Sequence, residues 1–137
     1  MKYTTEQRQQ KAESLHEQGY NCAQCVMMAF DDVTGINEDI ATRMLAGFGA
    51  GMGKTKEICG TLAAAASLRG ILHYSTPADK ISIYKTTSAF NDKFESMHGS
   101  TRCGELKRNQ KPCMQLIKDV VEMMADEISS KEQTDTK

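Results

Sequence analysis

Tryptophan is absent, proline occurs twice, and aromatic residues make up 6% of the 137-residue chain. With so few aromatics and few long β-branched runs, a sandwich or barrel has little from which to build its strands. An excess of charge of one sign is missing too, since 17 basic and 18 acidic residues leave a formal net charge of −1. That balance removes the electrostatic argument for nucleic acid or an anionic membrane as a partner. Long hydrophobic runs are also missing. The longest, residues 61–68, is rich in small residues and far too short to span a bilayer. Residues 1–18 are polar and do not form a signal peptide, and Gln133-Thr134-Asp135-Thr136-Lys137 carries no lipidation signal. These absences predict a cytoplasmic protein with no direct membrane insertion.

What is present favours helices. The hydrophobic fraction of 39% with 26% charged residues is that of an ordinary soluble globular domain, and nine methionines and a block of alanines suit helical packing. Apolar residues recur at spacings of three and four in successive segments. Thr4 or Thr5 caps a first helix through residue 18, and Gly19 stops it. Asn21 caps a second over residues 22–33, with Cys22, Cys25, Val26, Ala29, Phe30 and Val33 on its buried face, and Gly35 ends it. A third, over residues 38–46, turns Ile40, Met44 and Leu45 inward, and a fourth covers residues 57–73. Pro77 opens a long fifth helix to His98, with Ile81, Tyr84, Phe90 and Phe94 as its anchors. A short piece, residues 103–108, precedes a last helix opened by Pro112 that carries Cys113, Leu116, Ile117, Val120, Val121 and Met124 on one face. The expected architecture is all-α, a single-domain bundle of five or six helices over residues 1–128, with a polar, frayed tail over 129–137.

Residues 47–53 place glycine at every second position, which does not suit a helix interior. The sequence Gly53-Lys54-Thr55 invites comparison with a phosphate loop, but the Walker spacing requires glycine where Phe48 stands. A preceding strand is missing as well. The segment is better taken as a glycine-rich connection. Its amides, at Gly51 and Gly53, would line a site at the entrance to the next helix, and Gly60 would admit a ligand or a second backbone.

The five cysteines are the informative residues. In a cytoplasmic protein they signal thiol chemistry or metal binding before structural disulfides. Cys22 and Cys25 form a C-x-x-C pair at a helix start, where the dipole stabilises a thiolate. Cys25 alone suits core packing equally well. Cys59 follows the glycine loop, Lys54 and Lys56, and is expected to be the most reactive thiol, with a depressed pKa. Cys103 and Cys113 are nine residues apart, matching neither a zinc ribbon nor a ferredoxin cluster run. His16, His73 and His98 lack ligand spacing and suit helix ends.

Asn21-Cys22-Ala23-Gln24, Cys59-Gly60 after the glycine loop, Thr101-Arg102-Cys103, and Cys113 at the start of the last helix together resemble the C-GCAxxG-C-C family of redox-active proteins. The resemblance covers nearly the whole chain. It singles out Cys22, Cys59, Cys103 and Cys113 as the catalytic or metal-ligating set and leaves Cys25 as an extra. Thr61 and Ala64 depart from the family's alanine and final glycine.

Two function classes follow. In the first, the four thiols share one site at one end of the bundle. They would either exchange dithiol for disulfide with a redox partner, or bind an iron–sulfur cluster or another soft metal. In the second, the chain is a non-catalytic helical binding module, acting with a membrane transporter or a small ligand, and its cysteines serve packing. The small residues 63–66 and the apolar positions between Ile81 and Phe94 also suggest a homodimer.

Overall fold

The computed structural model describes residues 3–135, and among them every regular element is helical. The helices are α1 (Thr5–Glu17), α2 (Cys22–Met28), α3 (Asp31–Thr34), α4 (Glu38–Leu45), the single turn α5 (Gly49–Met52), α6 (Gly60–His73), α7 (Lys80–His98), α8 (Cys103–Arg108) and α9 (Cys113–Asp135). One isolated antiparallel bridge pairs Ile58 with Arg102. The all-α expectation holds. No described helix is long and apolar enough to cross a membrane.

The helix starts follow local chemistry. Thr4 caps α1 and exchanges hydrogen bonds with Gln7. Asn21 and Gln24 form the same reciprocal box at α2, each side chain bonding the other's backbone. The second helix expected over residues 22–33 is split, because Phe30 leaves helical geometry between α2 and α3.

Helix α2 occupies the centre. It packs against α6, α1, α4 and α9, and residues 25–30 are all buried. Ala64 and Ala65 of α6 have no exposed surface, which lets the two helices approach closely. Ile117, Val120, Val121 and Met124 of α9 complete the core. Each such residue contributes on the order of 1.5–3 kcal/mol by leaving water, if valine-sized or larger.

Two buried guanidinium groups tie the helices together. Arg8 of α1 donates to both carboxylate oxygens of Asp32 and to the Ala29 carbonyl, with its guanidinium 4.7 Å from the Phe30 ring centre. Arg69 of α6 grips Glu127 of α9 through two hydrogen bonds of 2.9 Å and lies 4.2 Å from the Phe90 ring centre. The second group links α6, α7 and α9, and so fixes the helices that begin near Cys59 and at Cys113.

Several faces differ from expectation. Leu45 points inward as expected, but Ile40 and Met44 are 51% and 62% exposed, and Ala41 is buried beside Leu45 instead. Ile81 and Tyr84 are exposed as well, leaving Phe90 and Phe94 to anchor α7. Helix α9 continues to Asp135 within the expected tail, and residues 136 and 137 lie outside the described residues.

Removing Glu127 leaves Arg69 a buried cation without its carboxylate. Glu127→Ala is expected to lower stability by about 3 kcal/mol, read from urea denaturation at pH 7. A loss below about 0.5 kcal/mol would show that the pair does not tie α6 to α9.

Candidate functional site

Cys22, Cys59, Cys103 and Cys113 line one cavity of about 250 Å³, together with His16, Asn21, Ala50, Lys56, Gly60, Thr61 and Lys107. Each thiol stands at or beside a helix start: α2 for Cys22, α6 for Cys59, α8 for Cys103 and α9 for Cys113. All five cysteines are free thiols.

Backbone pairing explains why these starts meet. The amide of Cys59 donates to the Thr101 carbonyl at 2.9 Å, and the amides of Cys103 and Gly104 donate to the carbonyls of Glu57 and Lys56. The segments preceding α6 and α8 therefore run antiparallel about the Ile58–Arg102 bridge. Alternation across that bridge puts Cys59 and Cys103 on one face as diagonal neighbours. On the other side, Asn21 donates to the carbonyls of Leu45 and Ala46, and Gln24 donates to that of Thr42. The Asn-Cys-Ala-Gln sequence thus caps α2 and docks it on the end of α4, with Cys22 held between.

The glycines have different roles from one another. A Cβ at Gly60 would lie 2.6 Å from the Cys22 sulfur and 2.9 Å from the Phe48 carbonyl oxygen, so its bare backbone makes room for the thiol. Gly51 does not line the cavity. A Cβ there would lie 2.6 Å from Cys103 Cβ, so Gly51 packs beneath that cysteine. Gly53 is exposed and lies away from the cavity. Five consecutive residues, Ala50 to Lys54, have positive φ, and the amide of Gly53 bonds the Gly49 carbonyl at 2.9 Å. The loop is a left-handed turn. Its alternate glycines accept that geometry freely, whereas Ala50, Met52 and Lys54 carry strain of roughly 1–2 kcal/mol each.

The thiols differ in electrostatics. Burial pushes Cys22 up to about 11, with a further push from Cys59 and Cys113, against hydrogen bonds from the backbone of Ala23 and Ala50. Burial likewise pushes Cys25 up to about 12. Cys25 has no exposed surface and faces the Tyr20 carbonyl, so it belongs to the core and does not line the cavity. Cys59 overturns the expectation of a depressed pKa. It is 5% exposed, and burial raises its pKa despite the Thr61 hydroxyl 3.0 Å from its sulfur. Its place is the cap position before α6, not the first turn, and Lys54 does not reach the cavity.

Cys113 stands apart. It is half-buried, it is the first residue of α9, and the Lys107 ammonium donates to its sulfur. That contact holds the Lys107 pKa above the usual lysine value. An ammonium and a helix N-terminus both favour a thiolate. Sequence reasoning missed Lys107, six residues away on another helix, and also His16, which was assigned to a helix end.

The donor set suits a soft metal, but the spacing does not. Among the described residues, no three His, Cys, Asp or Glu side chains gather closely enough to hold a metal ion. The sulfurs are distributed round the cavity walls.

Gly60→Ala is expected to cost about 1–3 kcal/mol in thermal or urea unfolding, because the Phe48 backbone cannot yield cheaply. Lys54→Gly is expected to raise stability by about 1 kcal/mol by relieving positive-φ strain. A thiol whose pKa is raised by burial reacts through its thiolate fraction, which stays small until pH approaches that pKa. Alkylation of Cys22 in the folded protein should therefore climb about tenfold per pH unit from neutrality and level off near 11. A plateau at pH 8 would contradict the burial.

No curated protein and no solved structure matches the chain. Residues 20–127 match the family described as "Putative redox-active protein (C_GCAxxG_C_C)", a span that begins at the α2 cap and ends within α9. With four cysteines round one cavity and a match over most of its length, the chain belongs to the C_GCAxxG_C_C family.

Proposed function

We propose that the chain is a dithiol–disulfide exchange protein in which Cys113 is the attacking thiol and Cys22 the resolving thiol. The observation that carries this is the Lys107 ammonium on the half-buried Cys113 sulfur, at a cavity that Cys22, Cys59 and Cys103 also line. The family's redox description supports the same class of chemistry.

The Cys113 thiolate attacks one sulfur of a partner disulfide. A new S–S bond forms, the old one breaks, and the leaving sulfur departs with the electron pair. Cys22 then attacks the Cys113 sulfur of the mixed disulfide. It is half-buried, its electrostatics couple it to Cys113, and the Ala23 and Ala50 amides bond its sulfur. Its proton must leave first, and His16 lines the same cavity as an acceptor. The products are a Cys22–Cys113 disulfide and the partner's two thiols, so two electrons pass from the protein to the partner. A reducing compartment such as the cytoplasm suits a resting state with free thiols. Cys59 and Cys103, both buried, shape the cavity wall.

With limiting iodoacetamide at pH 7 and peptide mass spectrometry, Cys113 is expected to label first, and Lys107→Gln to slow it roughly threefold to tenfold. Cys22→Ser should leave a mixed disulfide on Cys113 that persists. Faster labelling of Cys59 than of Cys113, or resolution at the wild-type rate in Cys22→Ser, would overturn the assignment.

A further inference from the structure

The thiol cavity opens onto a basic surface. Lys56 and Lys107 line both the cavity and an adjoining shallow depression, whose other walls are Arg102, Gly104, Glu105 and Arg108. Four cations thus face one carboxylate within the depression. Arg102 is balanced by Glu57 at 3.3 Å and Glu105 at 3.6 Å, and Lys107 is engaged with Cys113. Lys56 and Arg108 make no ion pair among the described residues. Lys56 is also anchored. Its carbonyl accepts from the Gly104 amide at 3.1 Å, and its Cβ stands 3.3 Å from where a Gly104 Cβ would be. Gly104 therefore lets the lysine stem lie across the start of α8, which holds the ammonium at the cavity mouth.

The chain as a whole is nearly neutral, with a net charge of −1. The positive field is local to the thiols. Focused charge beside a reactive group raises the local concentration of oppositely charged substrate. A cavity of about 250 Å³ admits one arm of a small molecule and leaves no room for a folded partner's disulfide loop.

We propose that the disulfide reduced at Cys113 is a small anionic one, with a carboxylate on the arm that enters, and that Lys56 and Arg108 seat this carboxylate while its sulfur meets Cys113. The inference rests on the exchange function proposed above and names its substrate class. The reaction is RS–SR plus the Cys113 and Cys22 thiols, giving two RSH and a Cys22–Cys113 disulfide. The small disulfide is the oxidant and the protein dithiol the reductant. A single turnover of pre-reduced protein therefore needs no further reagent.

The test is that single turnover, run at pH 7 with three symmetrical disulfides. They are 3,3′-dithiodipropionate (dianionic), 2-hydroxyethyl disulfide (neutral) and cystamine (dicationic). Each rate is divided by the rate of the same disulfide with free N-acetylcysteinamide, a neutral thiol, which removes intrinsic reactivity. Peptide mass spectrometry reports the cysteine attacked. The normalised rate at Cys113 is expected to be about tenfold higher for the dianion than for the neutral disulfide, and lowest for the dication. The dianion-to-neutral ratio should fall towards unity in Lys56→Gln/Arg108→Gln, and in wild type at about 0.5 M salt. Circular dichroism of the double variant must match wild type. If it does not, the salt dependence of wild type decides. Equal normalised rates for all three disulfides at Cys113, or a ratio unchanged by both the variant and salt, would overturn the anion preference and leave the exchange function standing. If no disulfide reacts faster at Cys113 than at Cys25, the exchange function fails and the substrate class falls with it.

Discussion

The site depends on one close approach, where the Cys22 sulfur lies over the bare backbone of Gly60. A side chain there would overlap both that sulfur and the Phe48 carbonyl, so the starts of α2 and α6 meet only because glycine opens α6. Cys59, one residue earlier, is thereby carried to the same cavity. The remaining thiols are brought in by backbone pairing: the segment before α6 binds the segment before α8 and draws in Cys103. Arg69, gripping Glu127 and covering Phe90, sets α6 against α9 and hence the level at which Cys113 stands. Three devices converge, and none of them involves a bond between sulfurs.

Once the thiols are together, burial divides them. Desolvation disfavours a thiolate, and it dominates at Cys22, Cys25 and Cys59 in spite of backbone or hydroxyl hydrogen bonds at each. Neighbouring sulfurs act in the same direction, because a second thiolate in a small cavity repels the first. Cys113 has what the others lack, an ammonium on its sulfur together with access to solvent. Sharing one cavity thus makes the thiols unequal, which is what sequential exchange requires. Four thiolates ionised together would repel and would have no order of attack.

The helices were legible because apolar residues at three-and-four spacing leave little choice, and the caps at Thr4 and Asn21 follow directly from their side-chain oxygens. The faces of α4 and α7 were less legible. Ile40, Ala41, Met44 and Leu45 make two adjacent stripes that rank almost equally by hydrophobicity, and packing against α2 selects the narrower one, Ala41 with Leu45. The cysteine set was legible by its sequence context. The order of reactivity was not, because Cys59 has a nearby helix start and lysines, which favour a thiolate, and also Ile58 and Leu62, which pull it inward. Only three-dimensional burial shows which prevails. Lys107 could not have been found by periodicity, since it reaches Cys113 across the turn between α8 and α9.

The same inequality constrains the chemistry in time. In the proposed exchange, attack by Cys113 would use a sulfur that the Lys107 ammonium already contacts. Resolution by Cys22 is different. Its proton is held up to about 11, so at neutral pH a small fraction of the mixed disulfide has the thiolate needed for the second step. Forming the mixed disulfide removes one contribution to that value, because Cys113 can no longer ionise beside Cys22. The first step therefore eases the second. On that proposed order it would remove the Cys113 charge beside Cys22 and release the Lys107 ammonium from the Cys113 sulfur. In the proposed order of attack, each covalent change alters the charge that the next sulfur must bear.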